Sequence, residues 1–198
     1  MKHLGDSYDI VKQSLLGWLR FFGEWSVHPM FTDSVTGGDG ESFGRFRNAR
    51  VISTEILKGN TDRSAYFSCA LSCGNLFLDP TTGLRLEETN RRKMPNYLFG
   101  SELALLTRKR PVSLTLVFDQ SLANGKDESQ RQQLDKKLHN LLEQHNVSAF
   151  AYVSHACFII AGVDVKLLDR ARQQIVAESK LPEYRILPVT GISIATHA

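Results

Sequence analysis

Two short stretches of the chain put ionisable side chains where chemistry needs them. In "NLFLDPTTGLRL", residues 75–86, an apolar run stops at Asp79-Pro80 and gives way to a small polar loop containing Gly83. A carboxylate delivered to the tip of a buried strand is placed to meet a ligand; an Asp-Pro pair also starts turns on its own account. In "GDSYDIVKQSLLGWL", Gly5 to Leu19, Asp9 and Lys12 are three apart and Gln13 is four from Asp9. That spacing gathers them on one helix face. It also suits plain helix chemistry, with Asp6 as N-cap, Asp9 favouring the helix dipole and Asp9–Lys12 as a surface pair.

Further candidates lie at the ends of other apolar runs. "VSLTLVF" leads into Asp119-Gln120-Ser121, and "WSVHPMF" carries His28. Adjacent strand tips are about 5 Å apart, so Asp79 and Asp119 would share a cleft if their strands pair. With Glu102 they form a candidate oxygen set for a divalent cation, which wants several oxygens converging; Lys12 would then assist a leaving group. The other reading of Asp119 is a solvated loop carboxylate. Asp79, Asp119, Glu102 and His28 are thus candidate ligand contacts at the strand ends, with Pro80 beside Asp79, while Asp6, Asp9 and Lys12 share the helix start. Cys69 and Cys73, four apart, would need His155 and Cys157 to converge with them for zinc, and are otherwise buried structural thiols. His155 with Cys157 is a conceivable nucleophile pair. "RRK", residues 91–93, would suit a phosphate or a solvated loop. No P-loop, zincin helix or G-x-S-x-G motif occurs.

These residues need elements to position them. Val11, Leu15, Trp18 and Phe22 make one stripe, widened by Ile10 and Leu19, which predicts a helix over 8–22 stopped by Gly23. A strand follows at "WSVHPMF". "TDSVTGGDGES", residues 32–42, reads as a mobile loop rich in turn residues, and a short helix over 41–47 leads to a strand at "ARVISTEIL". Thr61 or Asp62 would cap a helix through "RSAYFSCAL", and Ser101 one through "ELALLTRK". Residues 127–145 form a polar helix with a narrow stripe at 134, 138, 141 and 142, placed on an outer face. "SAFAYVSHACFIIAG" is one bent strand or two, residues 166–179 are helical, and "EYRILPVT" closes as an edge strand where Pro188 is tolerated. Helices alternate with strands that are apolar without alternation. The expected fold is therefore α/β: a single three-layer Rossmann-like sandwich over 1–198, with a mainly parallel central sheet and an antiparallel C-terminal portion. "NLFLD" and "VSLTLVF" belong at its centre, and ligands of such sheets bind beyond the carboxyl ends of the strands.

Composition narrows the class. The chain has 198 residues, 42% hydrophobic and 23% charged, with a net charge of +3. That is ordinary for one globular domain and falls short of a strong basic stripe. Three cysteines suit a reducing compartment better than a disulfide framework. Asp6 and Asp9 precede any apolar run, so no signal peptide is expected. No run approaches membrane-spanning length, so no membrane partner is expected either, and a cytoplasmic location follows.

"GDSYDIVK" resembles the N-terminal G-N-x-x-D-[VI]-x-K of bacterial methyltransferases that modify adenine N6 in large-subunit ribosomal RNA. Gly5, Asp9, Ile10, Val11 and Lys12 match, and Asp6 stands where that family has Asn. In that family the segment packs by the active site ahead of a Rossmann-like domain, and D-P-P-[YF] ends an apolar strand. Here Asp79-Pro80 match, while Thr81-Thr82 replace the second proline and the aromatic that would stack on a flipped base. A closer resemblance is to uncharacterised bacterial proteins sharing G-D-x-x-D-x-x-K, F-L-D-P-[DT]-[NT]-G-L and a later [YF]-[LV]-[FY]-x-x-E-L, here "YLFGSEL", Tyr97 to Leu103. That likeness implies a fold and carries no known activity. The methyltransferase likeness implies a nucleic-acid or nucleotide partner and a site in which Asp79, Lys12 and Asp9 are catalytic, with Asp6, Pro80, Asp119, Glu102 and His28 as candidate substrate contacts around them. S-adenosylmethionine would need a glycine turn after the first strand. "WSVHPMFTDSV" has none, and "GGDG", Gly37 to Gly40, comes later. Three classes of function stay open: an enzyme acting on a base or nucleotide, a divalent-metal nuclease, and a non-catalytic interaction protein. Cofactor and oligomeric state are not specified by the sequence.

Overall fold

The computed structural model describes residues 5–34, 37–87, 93–122 and 129–191. Its centre is a six-stranded sheet in the order β2-β1-β3-β6-β8-β7. The strands are β1 (Trp25–His28), β2 (Arg50–Val51), β3 (Asn75–Leu78), β6 (Thr115–Asp119), β7 (Ser148–Tyr152) and β8 (Cys157–Gly162). β4 (Gly83–Arg85) and β5 (Tyr97–Phe99) form a separate parallel pair. The strands from β2 to β6 run parallel, and β8 lies antiparallel between β6 and β7. The expected sandwich is present, and its two unbroken apolar runs, β3 and β6, are the inner pair.

The helices are α1 (Ser7–Trp18), α2 (Gly37–Arg47), α3 (Arg63–Tyr66), α4 (Gly100–Arg108), α5 (Gln130–His145) and α6 (Val165–Ser179). Side chains alternate across a sheet, so each strand feeds two cores. Val27, Phe77, Leu116, Phe118, Phe158 and Ile160 meet Leu15 of α1, Leu19 just after it, Phe43 of α2 and Leu168, Ala171 and Ile175 of α6. Leu76, Leu78, Val117, Cys157 and Ile159 meet Tyr66 of α3, Leu103 of α4 and Leu134, Leu138 and Leu141 of α5. The narrow stripe of α5 is thus enough to seat it, with Ser129 and Gln132 closing a capping box.

Several local expectations are corrected. The apolar stripe of α1 excludes Ile10, which is exposed, and its last turn tightens to a 3-10 helix, Leu19–Phe22, ended by Gly23 at φ 111°. "GGDG" does not make a loop: Gly37 to Gly40 open α2, and Gly40 is small because a Cβ there would lie 2.8 Å from Thr54 Cγ2. The β-branched run "ARVISTEIL" pairs as a strand only over Arg50–Val51, with further single bonds from Ile52 N to Val27 O and from Leu57 N to Phe31 O. Asp62, not Thr61, caps α3, whose helix passes into a 3-10 turn. "SAFAYVSHACFIIAG" is two strands. "EYRILPVT" makes a 3-10 turn over Glu183–Arg185, then three ladder-like bonds onto the outer side of β7, Val153 N to Arg185 O, Leu187 N to Ala151 O and Thr190 N to Ala149 O. No helix among the described residues is long and apolar enough to cross a membrane.

Candidate functional site

From β1 the chain moves outward to β2 and then returns to β3 on the other side of β1. The strand order therefore reverses between β1 and β3, and the crevice beyond their carboxyl ends is where an open α/β sheet binds ligands. Asp79 is the residue after the last residue of β3. Its N–H donates to His28 O at 3.1 Å, so the β1–β3 ladder holds it in place to the tip. The loops that follow also touch, with Thr32 Oγ1 3.3 Å from Thr81 Oγ1.

Alternation sends the Asp79 carboxylate to the same face as Phe77, toward α1. There Lys12 Nζ lies 2.8 Å from one carboxylate oxygen and 2.9 Å from the other. The same ammonium is 3.6 Å from Asp9 Oδ1 and 4.1 Å above the centroid of Phe118, a cation–π contact that suits a partly dehydrated lysine. Asp9 is held in turn: its other oxygen accepts from Gly5 N at 2.8 Å, and its N–H donates to Asp6 Oδ1 at 3.0 Å. Lys12 and Asp79 are only 8% and 7% exposed. Asp6 is exposed and acts as the N-cap of α1, and Pro80 is buried directly behind Asp79. The cap reading of Asp6 and the paired reading of Asp9, Lys12 and Asp79 are therefore both realised, on one turn of helix.

The remaining candidates stand elsewhere. β3 and β6 do pair, but Leu78 is opposite Val117, which sets Asp79 beside Phe118 and turns Asp119 to the other face. Asp119 is fully buried there, with Lys137 Nζ at 2.7 Å, Ser121 Oγ at 2.7 Å and the N–H groups of Leu84 and Ser121 on its carboxylate. It is neither a solvated loop carboxylate nor a partner of Asp79: it pins β4 to the tip of β6. That latch explains Gly83. Its φ is +139°, and a Cβ would sit 2.1 Å from Asp119 Oδ1.

Glu102 is bound by Arg63 and accepts from Phe99 N at 2.9 Å, while Arg63 also donates to Met94 O and Tyr97 O. It starts α4 and anchors a loop. The metal set of Asp79, Asp119 and Glu102 does not form, because its members occupy three separate clusters on two faces. Among the described residues no three His, Cys, Asp or Glu side chains gather around a common point.

His28 was expected at the crevice. Its ring instead faces the second core, fully buried between Tyr66 and Phe67, with centroids 4.7 and 5.4 Å away. Nε2 is 3.4 Å from Tyr66 O, and Nδ1 has no partner. Burial lowers its pKa to about 4, so the ring is neutral at pH 7. The cysteines make no zinc site or nucleophile either. Cys157 is buried with its thiol on Ser154 O, and burial pushes the thiol pKa up. Cys69 and Cys73 bond to Tyr66 O and Ala70 O, within their own helical segment. Arg91 and Arg92 lie outside the described residues.

Two residues near the site were not foreseen there. Tyr8 packs edge-on to Phe118 at 6.1 Å, and His155, exposed in the β7–β8 turn, lies 5.2 Å from the Tyr8 ring. Tyr8 was visible inside the matched "GDSYD" segment; His155 needed the β6–β8 register to place it. Compared with models of known families, with curated proteins and with solved structures, the chain matches none.

Proposed function

We propose that this chain is a Rossmann-like enzyme acting on a nucleic-acid base or nucleotide at the crevice between β1 and β3, with Asp79 meeting the ligand and Lys12 and Asp9 setting its position and charge. The observation that carries this reading is the Lys12–Asp79 pair. A helix 67 residues earlier in the chain delivers an ammonium to both oxygens of the one carboxylate that ends the switch-point strand. A buried ion pair contributes little net stability, so its presence at a ligand-binding end of the sheet points to use. A carboxylate there accepts hydrogen bonds from the amino groups of a base, and the half-buried Tyr8 and the exposed His155 offer aromatic surface near it. The methyltransferase resemblance supports the same reading, since its two matched pieces, "GDSYDIVK" and Asp79-Pro80, are in contact. Its cofactor is less well supported. Residues 29–34 after β1 contain no glycine, and the left-handed position is taken by buried Met30 at φ 50°.

One observation favours a second reading, a non-catalytic scaffold: Lys12 and Asp79 satisfy each other and are nearly closed to solvent. Ligand-observed NMR with adenosine, AMP and S-adenosylmethionine separates the two. The expected result is binding of adenosine or AMP that Asp79→Asn abolishes, with S-adenosylmethionine weak or absent. Micromolar affinity for S-adenosylmethionine would restore the full methyltransferase reading. No binding of any of the three leaves the scaffold.

A further inference from the structure

Three grooves that run into one another lie along the β2 edge and the amino end of the sheet, none of them lined by Asp79. The first, about 550 Å³, lies between α2 and the β2 edge and reaches Thr54. The second, about 940 Å³, lies between the C-terminal halves of α1 and α2 and reaches Trp25 at the start of β1. The third, about 460 Å³, passes beneath Asn75 to Val112 and Ser113. Arg45 lines both the first and the second, and Arg50 both the second and the third. Arg20 completes the wall of the second groove; among the lining residues the carboxylates are Glu24, shared by the second and third grooves, and Glu41 in the first. All three arginines are exposed, and none pairs with a carboxylate of the described residues. Arg20 and Arg45 suit the C-terminal ends of their helices, but dipole compensation does not require three guanidiniums to converge on one channel.

We infer that this channel binds single-stranded nucleic acid through its phosphate backbone, with Arg20, Arg45 and Arg50 as the phosphate contacts. A path of three joined grooves with cations at the junctions fits a polymer better than a single nucleotide. A guanidinium fork is the side chain that pairs best with phosphate. Gly17 leaves the channel open on α1, where a Cβ would meet nothing within 4 Å. Sequence-tolerant single-strand sites combine such a basic groove with aromatic surfaces on which bases stack. Phe21, 73% exposed, follows Arg20, and Phe22 and Val112 form the lip of the third groove. This site is separate from the Asp79 crevice and does not depend on it.

The test is fluorescence anisotropy of a labelled oligo-uridine of about 12 nucleotides with the full chain and with Arg45→Glu, Arg50→Glu and a control on the opposite face of the sheet, Lys136→Glu on α5. The expected outcome is that each groove reversal weakens binding roughly tenfold, while the control, with the same charge change, moves it less than about twofold. Three phosphate contacts give a slope of log affinity against log salt of about −2, and each arginine lost reduces it by roughly 0.7. Arg45→Gln repeats the measurement without introducing a carboxylate. An absence of binding at low salt, equal weakening by Lys136→Glu, or equal competition by polyglutamate overturns the proposal.

Discussion

Replacing Lys12 by Met is the sharpest perturbation of the Asp9–Lys12–Asp79 cluster. Methionine keeps the length and apolar stem of lysine and removes only the charge. Two carboxylates, with side chains 9% and 7% exposed, then share a site without their cation. At an effective dielectric of 20, a contact of 2.8 Å corresponds to an attraction of about 6 kcal/mol. Part of that is recovered when a carboxylate takes up a proton, and breaking buried pairs costs about 3–5 kcal/mol. The loss expected for Lys12→Met is therefore about 3–5 kcal/mol, a large share of the roughly 5–15 kcal/mol that holds a domain folded. Asp79→Asn is milder. Its amide oxygen still accepts from Lys12, and Asp9 still balances the ammonium at 3.6 Å, so about 1–3 kcal/mol is expected. Removing both charges in Lys12→Met with Asp79→Leu restores most of the stability, because no unpaired charge stays at the strand tip. Urea unfolding at pH 7, followed by the fluorescence of Trp18 and Trp25, gives all three values. A cost below about 1 kcal/mol for Lys12→Met, or an Asp79→Asn variant less stable than Lys12→Met, would refute the buried-clamp argument.

Two further outcomes are expected. His28 has a folded pKa of about 4 against 6.5 when unfolded. The unfolded chain therefore binds the extra proton first, and the stability from a neutral His28, complete above pH 6.5, falls by about 3 kcal/mol as the pH drops to 4. The difference between wild type and His28→Leu in urea unfolding at pH 7, 5 and 4 shows it; a pH-independent difference contradicts the buried neutral ring. Gly83→Ala places a methyl group on the Asp119 carboxylate at a positive φ, and a loss of about 3 kcal/mol or more is expected; a thermal melt within about 2 °C of wild type would show that the β4 latch yields instead.

The sequence was most informative where one face or one period decides the matter. "NLFL" and "TLVF" are apolar on both faces, which only an inner strand tolerates, and both are inner strands. The paired resemblance of "GDSYDIVK" and Asp79-Pro80 implied a contact that the fold supplies, while the Asp9–Lys12 spacing alone favoured a surface pair. Register was not legible. A shift of one residue reverses the face of every side chain, and that alone separates Asp79 from Asp119 and sends His28 into the far core. "GGDG" misled because glycine-rich composition signals a turn, while close packing of α2 against Thr54 also requires a missing Cβ. Glu102 was open to a place in a metal set because its partner, Arg63, lies 39 residues earlier. The arginine channel is assembled from α1, α2 and β2, so no local stretch of sequence announces it.

The two margins of the sheet bear on how this chain behaves in a crowd. An unpaired strand edge is a template for another copy of the same chain. On one side β2 is two residues long, too short to register an incoming strand. On the other, β7 is already occupied by residues 185–190. There the Ile186 amide turns back to Glu183 O, and Pro188 has no donor to offer between the inward bonds of Leu187 and Thr190. A strand arriving at either margin finds no continuous row of donors and acceptors. The unbroken apolar strands that build the centre can therefore be as sticky as they are without inviting the sheet to grow from one molecule into the next.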